Sequence, residues 1–271
     1  MPHWRLIVSS AIGLSISAGV VLAAEEWWWL RNRAALTRDA LREMALSLST
    51  LPPNLVVSVL MTGAWVVLYS GAGALAIWHF PKSPVFLLLA FLAVDLSYYW
   101  QHRCAHRSNA LWALYHAVHH GSPAYTVATA YRVSFVNQFV APAFYLPCVL
   151  AGFDPVLVLA LQVLSLHYQA WVHTEMIGPL GWIDGVFNTP ANHRMHHSLA
   201  RKRDGANFGA VMVLWDRLFG TYAAPEPVPA YGTAGASPPR TMGQVYLQPL
   251  QSWQSARRNL RSAPAGRGVA R

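Results

Sequence analysis

Three short words in the sequence constrain this chain more than anything else in it: HRCAH at 102–106, HAVHH at 116–120 and HRMHH at 193–197. A helix turns by about 100° per residue, so residues three and four apart share a face. The spacing therefore puts His102 and His106 on one helical face, His116, His119 and His120 on a second, and His193, His196 and His197 on a third. A lone histidine in an apolar chain is usually a hydrogen-bonded core residue, but two copies of HX2HH beside an HX3H exceed chance. Neutral imidazole binds iron, zinc and copper, and two or three rings on one helix make a rigid half-shell. A zinc site is full at four ligands, and a catalytic one keeps a position open. Eight or nine histidines suit two metals, each with room for a further ligand.

Composition sets the medium. Only 11 % of the 271 residues are charged, 54 % are hydrophobic and twelve are tryptophan; an ordinary soluble domain carries about 25 % charge. The expectation is an all-α integral membrane bundle of four to five spans, with a cytosolic helical cap carrying the histidines. Leu6–Ala24 is long enough to cross a bilayer and ends at Trp27-Trp28-Trp29, which reads as an interfacial anchor of a retained span. The Arg-rich amphipathic stretch 30–49 reads as a helix on the membrane surface, ended by Pro52-Pro53. Further spans are expected at 55–78 and 85–100, and 134–152 with 154–172 should form a hairpin of two more. Thr189-Pro190 provides an N-cap and first-turn proline for the helix of the third histidine word. The chain divides into 1–54 (span and surface helix), 55–222 (catalytic domain) and 223–271, a Pro/Gly/Arg-rich tail expected to be mobile or surface-bound. Cys104 and Cys148 give no disulfide framework.

DLSYYWQHRCAH, HAVHH and NTPANHRMHH, followed by NFGAVMVLWDRLFGTY, resemble the fatty acid hydroxylase/sterol desaturase superfamily, and within it the sterol desaturase and alkylglycerol monooxygenase-like branch. The resemblance runs from Asp95 to Tyr222. It implies that His102, His106, His116, His119, His120, His193, His196 and His197 are iron ligands, with His173 of WVHTE as an additional one. It also implies a di-iron centre, into which zinc substitutes in preparations, with O2 as co-substrate, and hydroxylation or desaturation of a lipid C–H bond. Departures from the family pattern fall at HHGSPAYTVATAYR and RKRDGANFG. Asp95, in the third expected span and seven residues before His102, is a candidate for orienting a ligand histidine. Gln169, Asn207 and Asp216 are further candidates for supporting the ligands. His79 and His167 are read as non-ligands. Arg103, Arg107, Arg132 and Arg194 are candidates for meeting a lipid headgroup.

With five spans, eighteen of the twenty Lys/Arg fall on the side of the histidines, leaving Arg5 and Lys82 opposite. The positive-inside rule makes that side cytoplasmic, in a bacterial inner membrane or one of endoplasmic reticulum type. The net charge of +9 follows from this asymmetry, so nucleic acid is not implied. HExxH, GxSxG, GxxxxGK[ST] and GxGxxG are absent, as is any haem or flavin module. Electrons would come from a separate donor, cytochrome b5-like or a ferredoxin/reductase. Two other classes stay open at this point: a histidine-rich metal-transport or metal-binding membrane protein, and a bis-histidine haem protein.

Overall fold

The computed structural model describes residues 3–81, 83–199, 205–233 and 237–262; Lys82, the RKRD segment of 201–204 and the tail beyond Ser262 lie outside them. Among the described residues the elements are helical, apart from one isolated antiparallel bridge between Phe187 and Met212. The chain opens with α1 (His3–Asn32), α2 (Arg38–Ser49), α3 (Leu51–Ala74) and α4 (Pro84–Arg107). The stretch 109–120 follows as α5 (Asn109–Leu111), a π-helical turn Trp112–His116 and α6 (Ala117–His120). After it come α7 (Val127–Ala130), α8 (Asn137–Val140), a 3-10 turn Ala141–Phe144, α9 (Leu146–Leu150) and α10 (Pro155–Trp171). A 3-10 turn Gly181–Gly185, α11 (Pro190–His197), α12 (Leu214–Leu218) and α13 (Met242–Ser262) complete it.

Two stretches, Arg38–Ala74 and Pro84–Arg107, are long and apolar enough to cross a membrane. Their outward faces are apolar: Val59, Leu60 and Val67 on α3, and Val85, Leu88 and Leu89 on α4. An apolar exterior of this kind is stable in lipid and unusual in water. Pro52 and Pro53 end no long surface helix; they stand in the first turn of α3, where a missing N–H costs nothing. The surface helix itself begins later than expected, at Arg38 after its N-cap Thr37. It turns Leu41 and Leu48 outward and buries Glu43, Leu46 and Ser47.

The apolar run 134–152 departs from the expected regular span. It is broken into α8, a 3-10 turn and α9, because Pro142 and Pro147 lack the N–H that a continuous helix needs. Carbonyls freed in an apolar setting must find donors, and α3 provides them. Trp65 Nε1 donates to the Gln138 carbonyl at 3.0 Å, and Tyr69 Oη donates to the Pro142 carbonyl at 2.5 Å. The run ends at Gly152, whose φ of +107° lets its backbone meet Trp78, where a Cβ would lie 2.1 Å from the Trp78 carbonyl oxygen. Phe80 N donates to the Gly152 carbonyl at 3.1 Å, and Phe80 packs on Phe153. The turn before α10 therefore sits beside the turn between α3 and α4. The core here is Tyr69, Val94, Tyr145, Val149 and Val158, contributed by α3, α4, α10 and the broken run.

Within 223–271 the described residues include a further helix, and residues 263–271 lie outside those described. After an extended stretch through Ala223, α13 packs Val245 against Leu46 of α2 and Val118 of α6.

Candidate metal centre

The first histidine word ends a long helix, and the second and third sit on short ones. α4 carries His102 and His106 in its last turns and stops at Ser108, whose Oγ then caps the next stretch by accepting from Leu111 N at 3.3 Å. In α11 Thr189 Oγ1 accepts from Asn192 N at 3.4 Å, Pro190 opens the first turn, and Thr189 also donates to Asp184 Oδ1. The π-helical turn Trp112–His116 leads into α6, a one-residue register change of the kind common at functional sites.

The nine histidines form two groups. His102, His106, His116, His120 and His196 make one; His119, His173, His193 and His197 make the other, and within each group the ligand nitrogens all lie within 4.8 Å of one another. The helical words are shared between the groups in a reciprocal way. The i,i+4 pair His116/His120 serves the first group while His119 crosses to the second. The i,i+4 pair His193/His197 serves the second while His196 crosses to the first. His79 and His167 join neither; His167 donates its Nδ1 to the Val163 carbonyl at 2.8 Å.

Chemistry of the donor set fits two cations. His102 Nδ1 lies 3.0 Å from the Phe208 carbonyl, His196 Nδ1 2.8 Å from that of Ala206, and His173 Nδ1 2.7 Å from that of Gln169. A carbonyl only accepts, so the proton of each ring is on Nδ1 and the Nε2 lone pair is free. Those lone pairs point at other rings: His102 Nε2 is 3.0 Å from His116 Nε2, His120 Nε2 3.0 Å from His196 Nε2, and His173 Nε2 3.0 Å from His193 Nε2. His102 and His196 thus bring two free lone pairs into one group, and His173 brings one into the other, a donor set suited to a cation in each. The carbonyls do what outer partners of metal-bound histidines do, fixing tautomer and ring orientation.

The remaining candidates act one step further out. Asp95 touches no histidine: its Oδ1 accepts from Val211 N and its Oδ2 from Trp215 Nε1, both at 3.0 Å. Asp216 accepts from Phe208 N at 2.7 Å, Gly209 N at 2.8 Å and Thr221 Oγ1 at 2.7 Å. Together they shape the 205–216 loop whose carbonyls hold His102 and His196. Asn207, with φ of +54°, ties that loop to the Asn192 carbonyl of α11 and to both backbone groups of Ala223. Gln169 reaches His173 through its backbone carbonyl only; its side chain accepts from Tyr98 Oη at 2.5 Å. Asp95→Asn replaces one anionic acceptor with a donor that faces an N–H. Metal affinity of the five-histidine group is expected to fall about 10–100-fold, measured by competition with a chelator; unchanged affinity would detach Asp95 from the centre.

Of the four arginines, Arg132 is unavailable to a headgroup and half-buried Arg194 is engaged by the backbone. Arg132 is fully buried, donates Nε to the Val118 carbonyl at 2.9 Å and pairs through Nη1 with Glu43 Oε2 at 3.2 Å. Arg194 Nη1 donates to the carbonyls of Thr174 and Ile177 at 2.7 and 2.8 Å. Arg103 donates to Tyr99 Oη and lies over the Trp100 ring. One residue escapes a reading of the sequence altogether. Glu26, just past the first apolar run, is buried and accepts from Thr174 Oγ1 at 2.5 Å and Val127 N at 2.7 Å, bolting α1 to the residue after His173. Its only signal is an acidic pair standing between an apolar run and three tryptophans.

Burial pushes His119 down to about 4 and His196 down to about 3, the latter despite the Ala206 carbonyl, so both rings are neutral at pH 7. In the unfolded chain the same rings titrate near their ordinary 6.5. Acidification therefore protonates the unfolded chain first, and stability present above pH 6.5 drains away as the pH falls towards 4. The metal-free protein is expected to lose thermal stability steadily across that window, and the loaded protein to release metal there. A flat melting temperature from pH 7 to pH 4.5 would contradict neutral, buried rings.

A cavity of about 500 Å³ opens beside the centre, reaching His102, His116, His119 and His173. Its wall carries carboxamides and phenols, including Asn54, Tyr98, Gln101 and Tyr115, and among the described residues no Lys, Arg, Asp or Glu.

Comparison with known proteins adds the following. Residues 87–221 match the fatty acid hydroxylase family model. Alkylglycerol monooxygenase of Danio rerio is 43 % identical over 145 residues, covering 53 % of this chain and 32 % of that protein. The human alkylglycerol monooxygenase is 42 % identical over 144 residues, covering 53 % of this chain and 32 % of its own length. An ornithine lipid hydroxylase of Rhizobium tropici is 29 % identical over 140 residues, 51 % of this chain and 42 % of that protein. The chain thus spans about a third of the length of the two monooxygenases. No solved structure matches it.

Proposed function

The chain belongs to the fatty acid hydroxylase superfamily, and from that premise we propose that it is a membrane-bound di-iron oxygenase that uses O2 to hydroxylate a C–H bond of a lipid. The observation that carries this reading is the convergence of nine histidines in a group of five and a group of four, three of them with Nδ1 committed to backbone carbonyls. His102, His106, His116, His120 and His196 would hold one iron; His119, His173, His193 and His197 the other. Iron bound there supplies activation of O2 and removal of hydrogen from an unactivated C–H bond, leading to hydroxylation or desaturation. The chain's own part is to hold the rings neutral and aimed, to keep water out, and to offer a lipid carbon to the centre through the adjoining cavity.

The cavity favours an uncharged head. Asn54 spends both amide hydrogens on the carbonyls of Thr50 and Val133, which leaves its buried Oδ1 without a donor. A lipid hydroxyl satisfies that atom, whereas an ammonium or phosphate would enter a wall with no opposite charge among its described residues. An alkylglycerol-like lipid fits better than an amino lipid. In the membrane we read five crossings: α1, α3, α4, the broken run 134–152 and α10, with the histidines on the cytoplasmic side and a separate protein donating electrons. The rival classes fit less well. A transport path needs ligands spaced through the spans, and a haem needs its two histidines held apart across the ring, not nine converging on one another.

The test is oxygenation in nanodiscs: iron-loaded protein, a reductant, isotopically labelled O2, and either an alkylglycerol or an ornithine lipid. Labelled oxygen in the alkylglycerol is the expected result. Incorporation into the ornithine lipid alone would overturn the substrate class, and incorporation into neither would overturn the oxygenase reading.

A further inference from the structure

Away from the centre, residues 180–187 and 211–219 form a paired unit. Asn188 N donates to the Val211 carbonyl at 2.8 Å, Val213 N to the Val186 carbonyl at 3.0 Å, and Arg217 Nε to the Gly185 carbonyl at 2.8 Å. This unit turns large apolar side chains outward: Trp182 at 78 % exposure, Leu218 at 66 %, with Leu180, Val186, Leu214 and Phe219 around them. Scattered exposed leucines need no explanation, but six exposed large apolar side chains on one small paired unit do.

The position of the unit along α4 says what covers it. Asp95 binds Val211 N and Trp215 Nε1, and Asp95 stands seven residues before His102 on a helix rising about 1.5 Å per residue. Residues 211–215 therefore lie roughly 10 Å from the histidines towards the middle of α4, beside the part of that helix whose outward face is apolar. The two surfaces are continuous, since Trp100 of α4, itself exposed, packs on Phe219 with ring centroids 5.1 Å apart. Two cations accompany this surface: Arg103, over Trp100, and Arg217 of the unit itself, which is held to the Gly185 carbonyl and lies over Tyr222 at 4.1 Å; long basic side chains of this kind reach to headgroup level.

We propose that the paired unit 180–187/211–219 is a half-inserted element, sunk into the lipid leaflet that borders the metal centre and contacting acyl chains through Leu214, Leu218 and Trp182. It does not cross the membrane. It rests on the reading of α4 as a span, and it makes the loop that orders His102 and His196 part of the membrane-facing wall.

The experiment places single nitroxide labels at Leu218→Cys, Trp182→Cys and Leu88→Cys in full-length protein in phosphatidylethanolamine/phosphatidylglycerol nanodiscs, with the labelled wild type, which retains Cys104 and Cys148, as the blank. Collision with O2, which concentrates in lipid, is compared with collision with a water-soluble nickel chelate. Bound metal per chain, unchanged from wild type, shows that each variant is folded; all three side chains are exposed, so this is expected. Oxygen-dominated relaxation at Leu218 and Trp182, like that at Leu88, is the predicted result. Nickel-dominated relaxation at Leu218 or Trp182 with Leu88 still in lipid overturns this proposal alone. Nickel-dominated relaxation at Leu88 overturns the span and the half-inserted element together.

Discussion

Replacing His119 by alanine and replacing His196 by alanine are expected to empty opposite halves of the centre. The middle residue of each HX2HH word crosses to the partner group, so His119→Ala strips the group of His173, His193 and His197, whereas His196→Ala strips that of His102, His106, His116 and His120. Each variant should therefore keep about one metal per chain in place of two, and the double variant close to none. Outer partners of metal ligands are worth about 10–100-fold in affinity or activity, so loss of a ligand itself should cost more than about 100-fold in turnover. Metal analysis with a cobalt-substituted visible spectrum reads the result, because the two sites differ in ligand number. If both variants lose the same metal, the reciprocal division of the words is wrong.

The second large effect lies at Glu43 and Arg132, which are 2 % and 0 % exposed as side chains. Desolvation of an ion pair offsets most of its attraction, but removing one partner strands the other charge. Glu43→Ala should therefore destabilise the protein by about 3–5 kcal/mol. The double replacement Glu43→Leu/Arg132→Met should recover most of that loss. Arg132 Nε also holds the Val118 carbonyl, next to His119, so Glu43→Ala is further expected to loosen the second histidine word. Chemical denaturation of single and double variants measures the coupling; equal losses from both would show that the pair is not a unit.

These two results divide what is legible in the sequence from what is not. Helical period alone placed the histidines on three faces, and it did so because three- and four-residue spacing on a helix is a local property. Which ring joins which group is a property of how α4, α6 and α11 approach one another, and no spacing reveals it. The same limit applies to Arg132. An arginine in a mostly apolar chain reads as a headgroup contact until a carboxylate 89 positions away is seen to face it. Glu43 carries no signal in the sequence, because an amphipathic helix is read from its apolar face, and α2 buries Leu46 beside Glu43 while turning Leu41 and Leu48 outward. The run 134–152 has the composition of a span, and its two prolines broke the helix. What let it keep its place was a pair of donors on α3, Trp65 and Tyr69, which composition does not report. Asp95 was visible as a costly carboxylate in an apolar helix, but its partners are a backbone N–H and an indole on a loop 116 and 120 positions away.

The most direct test of the whole account is the metal content of the detergent-purified wild-type chain, measured by mass spectrometry against amino-acid analysis after loading with Fe(II) under anaerobic conditions. Two groups of converging imidazoles predict two irons per chain, or two zinc ions in their place. One metal or none in protein that melts cooperatively would contradict the di-metal centre, and the proposed oxygenase with it.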